Sequence, residues 1–157
     1  MSSVMFVCLG NICRSPAGEG ILKAFLSEEG VGSVRVESSG LGSWHIGELP
    51  NPRMRKVARE RGYELESRAQ LFVPNFFDSF EYILAADRSV YEDLISMAKT
   101  DERKKRVFYM TAFSEKYQGE EVPDPYYGGE EGFYHVLDML EESCKGLVSE
   151  LKQRLCL

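Results

Sequence analysis

The chain has 157 residues, of which 43% are hydrophobic and 28% charged, and it carries a formal net charge of −6. This composition is typical of one soluble domain, and the acidic balance argues against general nucleic-acid binding, which needs a basic surface. The sequence has neither an apolar run near the ~20 residues of a membrane span nor the basic start of a signal peptide. We therefore expect a single cytoplasmic, monomeric domain over residues 1–157, with no membrane or nucleic-acid partner.

The predicted elements alternate between strands and helices. Residues 4–9 form a continuous apolar run, which is typical of a strand buried on both faces. Ser15 as N-cap and Pro16 at the first helical position then predict the start of a helix that continues to residue 29. Further patterns predict a strand over 34–38, a loop over 40–52, a helix over 54–62, a strand over 80–86, a helix over 89–99, a strand over 106–110, an acidic loop over 119–131 and a last helix over 133–155.

This βαβαβαβα order predicts an α/β fold. We expect a three-layer sandwich in which a four-stranded parallel sheet has helices on both faces. Ligands in such folds bind beyond the carboxyl ends of the strands. Cys8 lies at the end of the first strand, where a site is expected.

The segment from Cys8 to Ser15 has residue types that suit a bound phosphate. A loop of this length can turn successive backbone N–H groups toward one point, and Gly10 and Asn11 tolerate the positive φ that such a loop needs. The following helix directs its positive dipole end at the same point, and Arg14 can hold two phosphate oxygens. We therefore predict a phosphate-binding loop after the first strand.

The same positive field favours the thiolate form of Cys8, which is the nucleophilic form of cysteine. A thiolate can attack phosphorus and form a covalent phosphocysteine. The leaving oxygen then needs a proton donor, and Asp124, which is followed by the stiff Pro125, is the best candidate. Tyr126 and Tyr127 are suited to wall a cleft for an aromatic substrate. With no pair of cysteines at zinc-finger spacing and two isolated histidines, we expect neither a metal nor a cofactor.

Other polar or reactive side chains are expected to have structural roles. Cys144 lies on the apolar stripe of the last helix and is predicted to be core, Cys156 is expected to be an idle thiol, and His45 is expected to be a capping or surface group. The basic run of the second predicted helix is expected to be a solvated face: Arg53, Arg55, Lys56, Arg59 and Arg61.

Together these residues resemble the low-molecular-weight protein tyrosine phosphatases. The Cys-x5-Arg-Ser loop near the N-terminus and Asp-Pro-Tyr-Tyr near the C-terminus match that family, and the segments 37–40, 43–47, 52–53 and 82–87 match it in the same order. The resemblance spans essentially the whole chain. Cys-x5-Arg alone is shared by unrelated phosphatase folds, but its combination with Asp-Pro-Tyr-Tyr is highly specific.

The resemblance implies hydrolysis of phosphotyrosine and aryl phosphate monoesters, with proteins or peptides as substrates and inorganic phosphate as product. Cys8 is then the nucleophile, Arg14 the phosphate clamp, and Asp124 the general acid and later the general base. The other positions implied to contact the phosphoryl group or the aromatic ring are Leu9, Gly10, Asn11, Ile12, Cys13, Ser15, Trp44, Tyr126 and Tyr127.

The resemblance also implies supporting contacts. Asn11 is expected to hold the loop in a strained conformation through a bond to Ser38, and the Ser15 hydroxyl is expected to stabilise the thiolate. Three positions depart from the family pattern, which often has a histidine that supports the Asn11 network where Ser67 stands, an arginine where Gln70 stands, and an aspartate where Asn51 stands. These changes affect the residues that support the site, and none is expected to abolish activity.

Three alternative functions fit parts of the sequence. An arsenate reductase on the same fold would use further thiols such as Cys144 and Cys156, but it would not need Asp124. A phosphoarginine phosphatase of the same family would carry threonine in place of Ile12, so Ile12 favours phosphotyrosine. A non-catalytic phosphate-binding module would need no acid at all.

Overall fold

Four strands and six helices make up the part of the chain that the computed structural model describes, residues 2–155. In chain order they are β1 (Ser2–Cys8), α1 (Arg14–Glu28), β2 (Val34–Gly40), α2 (Pro52–Glu60), α3 (Phe76–Ser79), β3 (Tyr82–Ala85), α4 (Arg88–Ala98), α5 (Asp101–Lys104), β4 (Val107–Tyr109) and α6 (Glu130–Arg154). The predicted alternation is confirmed, and the single-turn helices α3 and α5 are additions to it.

The four strands form one parallel sheet in the order β2-β1-β3-β4. This arrangement confirms the predicted α/β fold. The chain passes from β2 on one side of β1 to β3 on the other, so the topological switch point lies at the carboxyl end of β1. Ligands of open parallel sheets bind at such a point, and Cys8 is the last residue of β1.

Hydrophobic side chains fill both faces of the sheet, which confirms the three layers. On one face Val4 and Phe6 pack with residues of α1, α2 and α6. On the other face Met5 and Val7 pack with residues of α3 and α4. Cys144 of α6 is fully buried in the first cluster, as predicted, whereas Cys156 lies outside the described residues.

Helix α1 begins earlier than predicted. Its first residue is Arg14, so Ser15 lies inside the first turn and the expectation that Ser15 caps the helix is wrong. The Ser15 hydroxyl points instead toward the sulfur of Cys8, 3.0 Å away. Further along, Gly18 allows the helix to lie against β1, because a Cβ at this position would be 2.4 Å from the ring of Phe6.

The basic face of α2 is also different from the expectation. Lys56 binds Glu130 at 2.9 Å, Arg61 binds Asp138 of α6 at 2.8 Å, and Arg53 donates to backbone carbonyls of the acidic loop. Helix α6 places carboxylates opposite this face and the acidic loop offers carbonyls, so three of the five basic side chains pair across an interface rather than facing only water.

Helix α6 is the longest element, with 25 residues, and it packs against α1 and α2. Its apolar stripe is buried while its other face carries charged side chains. Across residues 2–155, every helix is too short or too polar to span a membrane.

Candidate active site

Asn11 fixes the turn of the loop between β1 and α1, which we call loop 8–15. Its φ is +57°, in the left-handed region that asparagine tolerates better than most residues. Its side chain donates to Ser15 Oγ at 2.7 Å and to Ser38 Oγ at 3.0 Å, and its Oδ1 accepts from the backbone of Gln70 at 2.9 Å. The structure thus contains the expected bond to Ser38, and Gln70 supports Asn11 through its backbone.

Two glycines at the loop serve close packing rather than an unusual φ. Gly10 does not adopt a positive φ, contrary to the expectation. A Cβ at this position would lie 3.2 Å from Cδ2 of His45, so glycine leaves room for the imidazole. At Gly40, the end of β2, a Cβ would lie 2.9 Å from both Asn11 N and Leu9 O, so only glycine lets the strand end directly against the loop.

The sulfur of Cys8 lies at the base of the loop and faces hydrogen-bond donors. The N–H of Asn11 donates to it at 3.3 Å, and Ser15 Oγ lies 3.0 Å away. Within residues 2–155, the N–H groups of residues 9, 10, 12 and 13 donate to no backbone carbonyl. Together with the N-terminus of α1, these free donors make the loop a suitable cradle for an anion.

Arg14 is buried beside this sulfur and is held in place by its partners. One terminal nitrogen donates to Asp87 at 2.7 Å and to the carbonyl of Val122 at 3.0 Å, and the other lies 3.8 Å from Asp124. Burial by itself lowers the pKa of Arg14, but the facing charges of Cys8, Asp87 and Asp124 outweigh this effect and raise the pKa above its usual value. The guanidinium is therefore a fixed, permanent positive charge.

Asp124 lies at the mouth of the site, across from loop 8–15. Its Oδ1 accepts from the N–H of Tyr126 at 3.0 Å, and its side chain is 40% exposed. The carboxylate is therefore oriented by the backbone of its own loop and open to a ligand that enters from solvent.

These groups line one cavity of about 350 Å³. The structure brings together all three predicted catalytic side chains and most of the predicted contact residues. The lining consists of Cys8, Leu9, Gly10, Ile12, Cys13, Arg14, Trp44, His45, Asp124, Tyr126 and Tyr127. Asn11, Ser15 and Ser38 are buried behind the loop instead, where they connect it to the core.

Cys13 lines the same cavity as Cys8 but differs from it chemically. Burial raises the pKa of the Cys13 thiol to about 12, and the nearby negative charges of Cys8 and Asp124 add to this rise. Cys13 is therefore a neutral thiol at physiological pH and a poor nucleophile.

Sequence reasoning missed two carboxylates that support the site, the partly buried Asp87 and the buried Glu19. Asp87 lies two residues after β3, and its place at the carboxyl end of a strand next to β1 is a signal that could have identified it as the partner of Arg14. Glu19 accepts from Ser38 at 2.6 Å and from Lys23 at 2.7 Å. No pattern in the sequence pointed to Glu19.

A family profile described as low molecular weight phosphotyrosine protein phosphatase matches residues 3–156. The chain belongs to this family. A Synechocystis relative, provisionally named a low molecular weight protein-tyrosine-phosphatase, is 41% identical over 97% of this chain and 98% of its own length. A crystal structure of a protein tyrosine phosphatase from Entamoeba histolytica, with Hepes in the active site, covers 98% of both chains at 39% identity and a TM-score of 0.93. Drosophila arginine phosphatase covers 97% of this chain and 98% of its own at 29% identity, with a TM-score of 0.88.

The predicted resemblance to low-molecular-weight protein tyrosine phosphatases is thereby confirmed, and the chain is a hydrolase of that class. The arsenate reductase alternative finds no support at the cavity, because Cys144 is buried in the core beside the carbonyl of Gly18 and is not part of the lining.

Proposed function

We propose that this phosphatase hydrolyses phosphotyrosine and other aryl phosphate monoesters through a phosphocysteine intermediate. The observation that carries the proposal is the meeting of Cys8, Arg14 and Asp124 at one cavity, although Asp124 is more than a hundred residues from the other two. A binding module would need the cradle and Arg14 but would have no use for a carboxylate at its mouth.

In the first step the sulfur of Cys8 attacks phosphorus, the S–P bond forms and the bond from phosphorus to the aryl oxygen breaks. Asp124 gives its proton to that oxygen, and the phenol leaves. In the second step Asp124 accepts a proton from water, the water oxygen attacks phosphorus, and the S–P bond breaks to release inorganic phosphate and the thiolate. Arg14 and the amides from Leu9 to Ser15 bind the phosphoryl oxygens in both steps.

The walls of the cavity favour an aromatic ester. Leu9, Trp44, Tyr126 and Tyr127 surround its mouth, and all four are exposed hydrophobic side chains. Aromatic side chains gain about 0.5–1.5 kcal/mol from well-oriented ring contacts beyond the burial of area. A phosphotyrosine side chain can place its phosphate on loop 8–15 while its ring contacts these walls.

We place the whole chain, residues 1–157, in one catalytic domain that acts as a monomer in the cytoplasm. Its partners are proteins or peptides that carry phosphotyrosine, with no nucleic-acid or membrane partner, and the reaction needs no metal and no cofactor.

The direct test is a comparison of phosphotyrosine, phosphoserine, phosphoarginine and p-nitrophenyl phosphate as substrates in the presence of a chelator. We expect hydrolysis of the two aryl esters and little of the others. Cys8→Ser is expected to lose turnover and to keep phosphate binding, because a serine hydroxyl is not ionised at neutral pH while the cradle remains. Turnover by Cys8→Ser, or a preference for phosphoarginine, would disprove the proposed mechanism or substrate.

A further inference from the structure

Arg53, in the first turn of α2, binds the acidic loop. Its guanidinium donates to two carbonyls of that loop, to Tyr126 O at 2.5 Å and to Gly128 O at 2.9 Å. The same group lies over the ring of Phe133 in α6, with its carbon 4.8 Å from the ring centroid. Arg53 therefore connects α2, the acidic loop and α6 at one point.

The segment that Arg53 holds comes directly after the proposed general acid. Tyr126 donates its N–H to Asp124 Oδ1 at 3.0 Å, and the carbonyl of the same residue accepts from Arg53. Within residues 2–155, the one ion pair that Asp124 forms is with Arg14, whose terminal nitrogen lies 3.8 Å from Oδ2 of the carboxylate. The place of the carboxylate is therefore set mainly by the backbone that Arg53 holds.

We propose that Arg53 is a positioning residue for the general acid, and that its fork of donors keeps Asp124 within reach of the leaving oxygen. This inference rests on the proposed function and extends it. A general acid must lie within hydrogen-bond reach of the oxygen that it protonates, and a misplacement of about 1 Å can cost about 10² in rate. A planar guanidinium can hold two carbonyls at once, whereas the ammonium of lysine is a point charge without this fork.

Arg55 offers a matched control on the same helix. It is two residues from Arg53, and within residues 2–155 its side chain makes no hydrogen bond or ion pair. Arg55→Gln removes the same charge from α2 as Arg53→Gln but leaves the acidic loop unchanged. The control thus separates the loss of two hydrogen bonds from the loss of a positive charge.

The test measures how strongly the rate depends on the leaving group. Asp124→Asn is expected to lower kcat/KM for phosphotyrosine by about 10²–10⁴. It should lower kcat/KM for p-nitrophenyl phosphate by less, because nitrophenolate is a weak base and needs the proton less. The comparison uses kcat/KM because this quantity reports the steps up to the phosphocysteine, whereas both esters share its later hydrolysis, in which Asp124 also acts. Arg53→Gln and Arg53→Lys should show the same pattern in weaker form, with a loss in kcat/KM of about 10-fold on phosphotyrosine and a smaller loss on the activated ester. Arg55→Gln should behave as wild type.

A double variant makes the test sharper. If Arg53 acts through Asp124, adding Arg53→Gln to Asp124→Asn should cause no further loss of kcat/KM on phosphotyrosine. Equal losses of kcat/KM on both esters, or a further loss in the double variant, would overturn the positioning role. Melting curves show whether each variant is folded at the assay temperature, and Arg53→Lys, which keeps the charge, decides the result if Arg53→Gln unfolds.

The same experiment distinguishes a failure of this inference from a failure of the proposed function. If the wild-type chain turns over phosphotyrosine, and Asp124→Asn discriminates between the esters while the Arg53 variants do not, only the role of Arg53 is lost. If Asp124→Asn itself shows no discrimination, the assignment of the general acid fails and the positioning role fails with it.

Discussion

At the scale of single residues, Ser15 is the point where the hydrogen bonds behind the cavity meet. Its oxygen accepts from Asn11 Nδ2 at 2.7 Å, so its own proton is available for Cys8 Sγ at 3.0 Å or for the carbonyl of Ser39 at 3.3 Å. The sulfur is nearer and, as a thiolate, charged, and hydrogen bonds to charged groups are the stronger ones. We infer that the Ser15 hydroxyl donates to the sulfur anion.

Ser15→Ala should therefore weaken the nucleophile. Without the hydroxyl the sulfur anion loses a hydrogen-bond donor, so kcat/KM should fall. A hydrogen bond to a charged group is worth about 1.5–3 kcal/mol, which corresponds to a loss of about 10- to 100-fold in kcat/KM.

The matched control for this change is Ser39→Ala, because the Ser39 hydroxyl contacts Met5 Sδ at 3.2 Å and not the sulfur of Cys8. This variant should keep the wild-type kcat/KM. A wild-type kcat/KM in Ser15→Ala would show that the hydroxyl only packs against the loop.

The residues that we propose to perform the chemistry could be predicted from sequence because the reaction demands their types. Few residue types carry a thiolate, a guanidinium or a carboxylic acid. The sequence around Cys8, Arg14 and Asp124 indicates the role of each. Supporting residues are harder to predict in this way. Glu19 acts through Ser38, which only the folded chain brings near, and a buried carboxylate has no local signature in a single sequence. Asp87 has only the positional signal of lying just after a strand next to β1.

At the scale of elements, the loop between β2 and α2 holds Trp44 against the backbone of Gly42. A Cβ at Gly42 would lie 1.8 Å from Cζ3 of the indole, which means that the ring rests on the glycine itself. The indole is otherwise open to solvent, with 67% of Trp44 exposed. Since Gly42 does not adopt a positive φ, the backbone at this position accommodates alanine.

Gly42→Ala should consequently displace the indole and leave loop 8–15 intact. We expect KM for a phosphotyrosine peptide to rise about 2- to 10-fold, which is the loss of one ring contact of about 0.5–1.5 kcal/mol, with kcat nearly unchanged. Trp44 is the one tryptophan of the chain, so its fluorescence reports the displacement directly.

The control for this substitution is Gly32→Ala, because a Cβ at Gly32 meets no atom within 4 Å. This variant should change neither KM nor the emission spectrum. If Gly42→Ala shifts the emission and leaves KM unchanged, Trp44 does not contact the substrate.

The elements that the sequence predicts well are those with a continuous apolar run or a long periodic pattern of apolar residues. Strands β1 and β3 are continuous apolar runs, and α6 has many turns of periodic apolar residues. Helices α3 and α5 have four residues each, and a single turn is too short to show a period. The start of α1 was misplaced because a serine before a proline suggests an N-cap, whereas Ser15 is used by the site.

At the scale of the whole molecule, loop 8–15 is part of the core rather than an appendage. Its backbone is bonded to the segments after β2 and before α2, through Leu41 N to Cys8 O at 3.1 Å and Asn51 N to Ile12 O at 2.8 Å. Arg14 adds links to the end of β3 and to the acidic loop. A ligand on this loop therefore contacts a group of segments that must unfold together.

Phosphate binding should for this reason stabilise the entire domain. A ligand that binds only the folded state adds about 2.7 kcal/mol at a concentration of 100 times Kd. For a domain of this size ~1 kcal/mol moves Tm by about 2–4 °C. Inorganic phosphate at that concentration should thus raise Tm by about 5–10 °C, and chloride of equal ionic strength should not. Arg14→Gln should lose this increment whatever its own starting Tm, because the clamp is gone. A Tm that is indifferent to phosphate, or an equal increment in Arg14→Gln, would mean that the anion does not bind on loop 8–15.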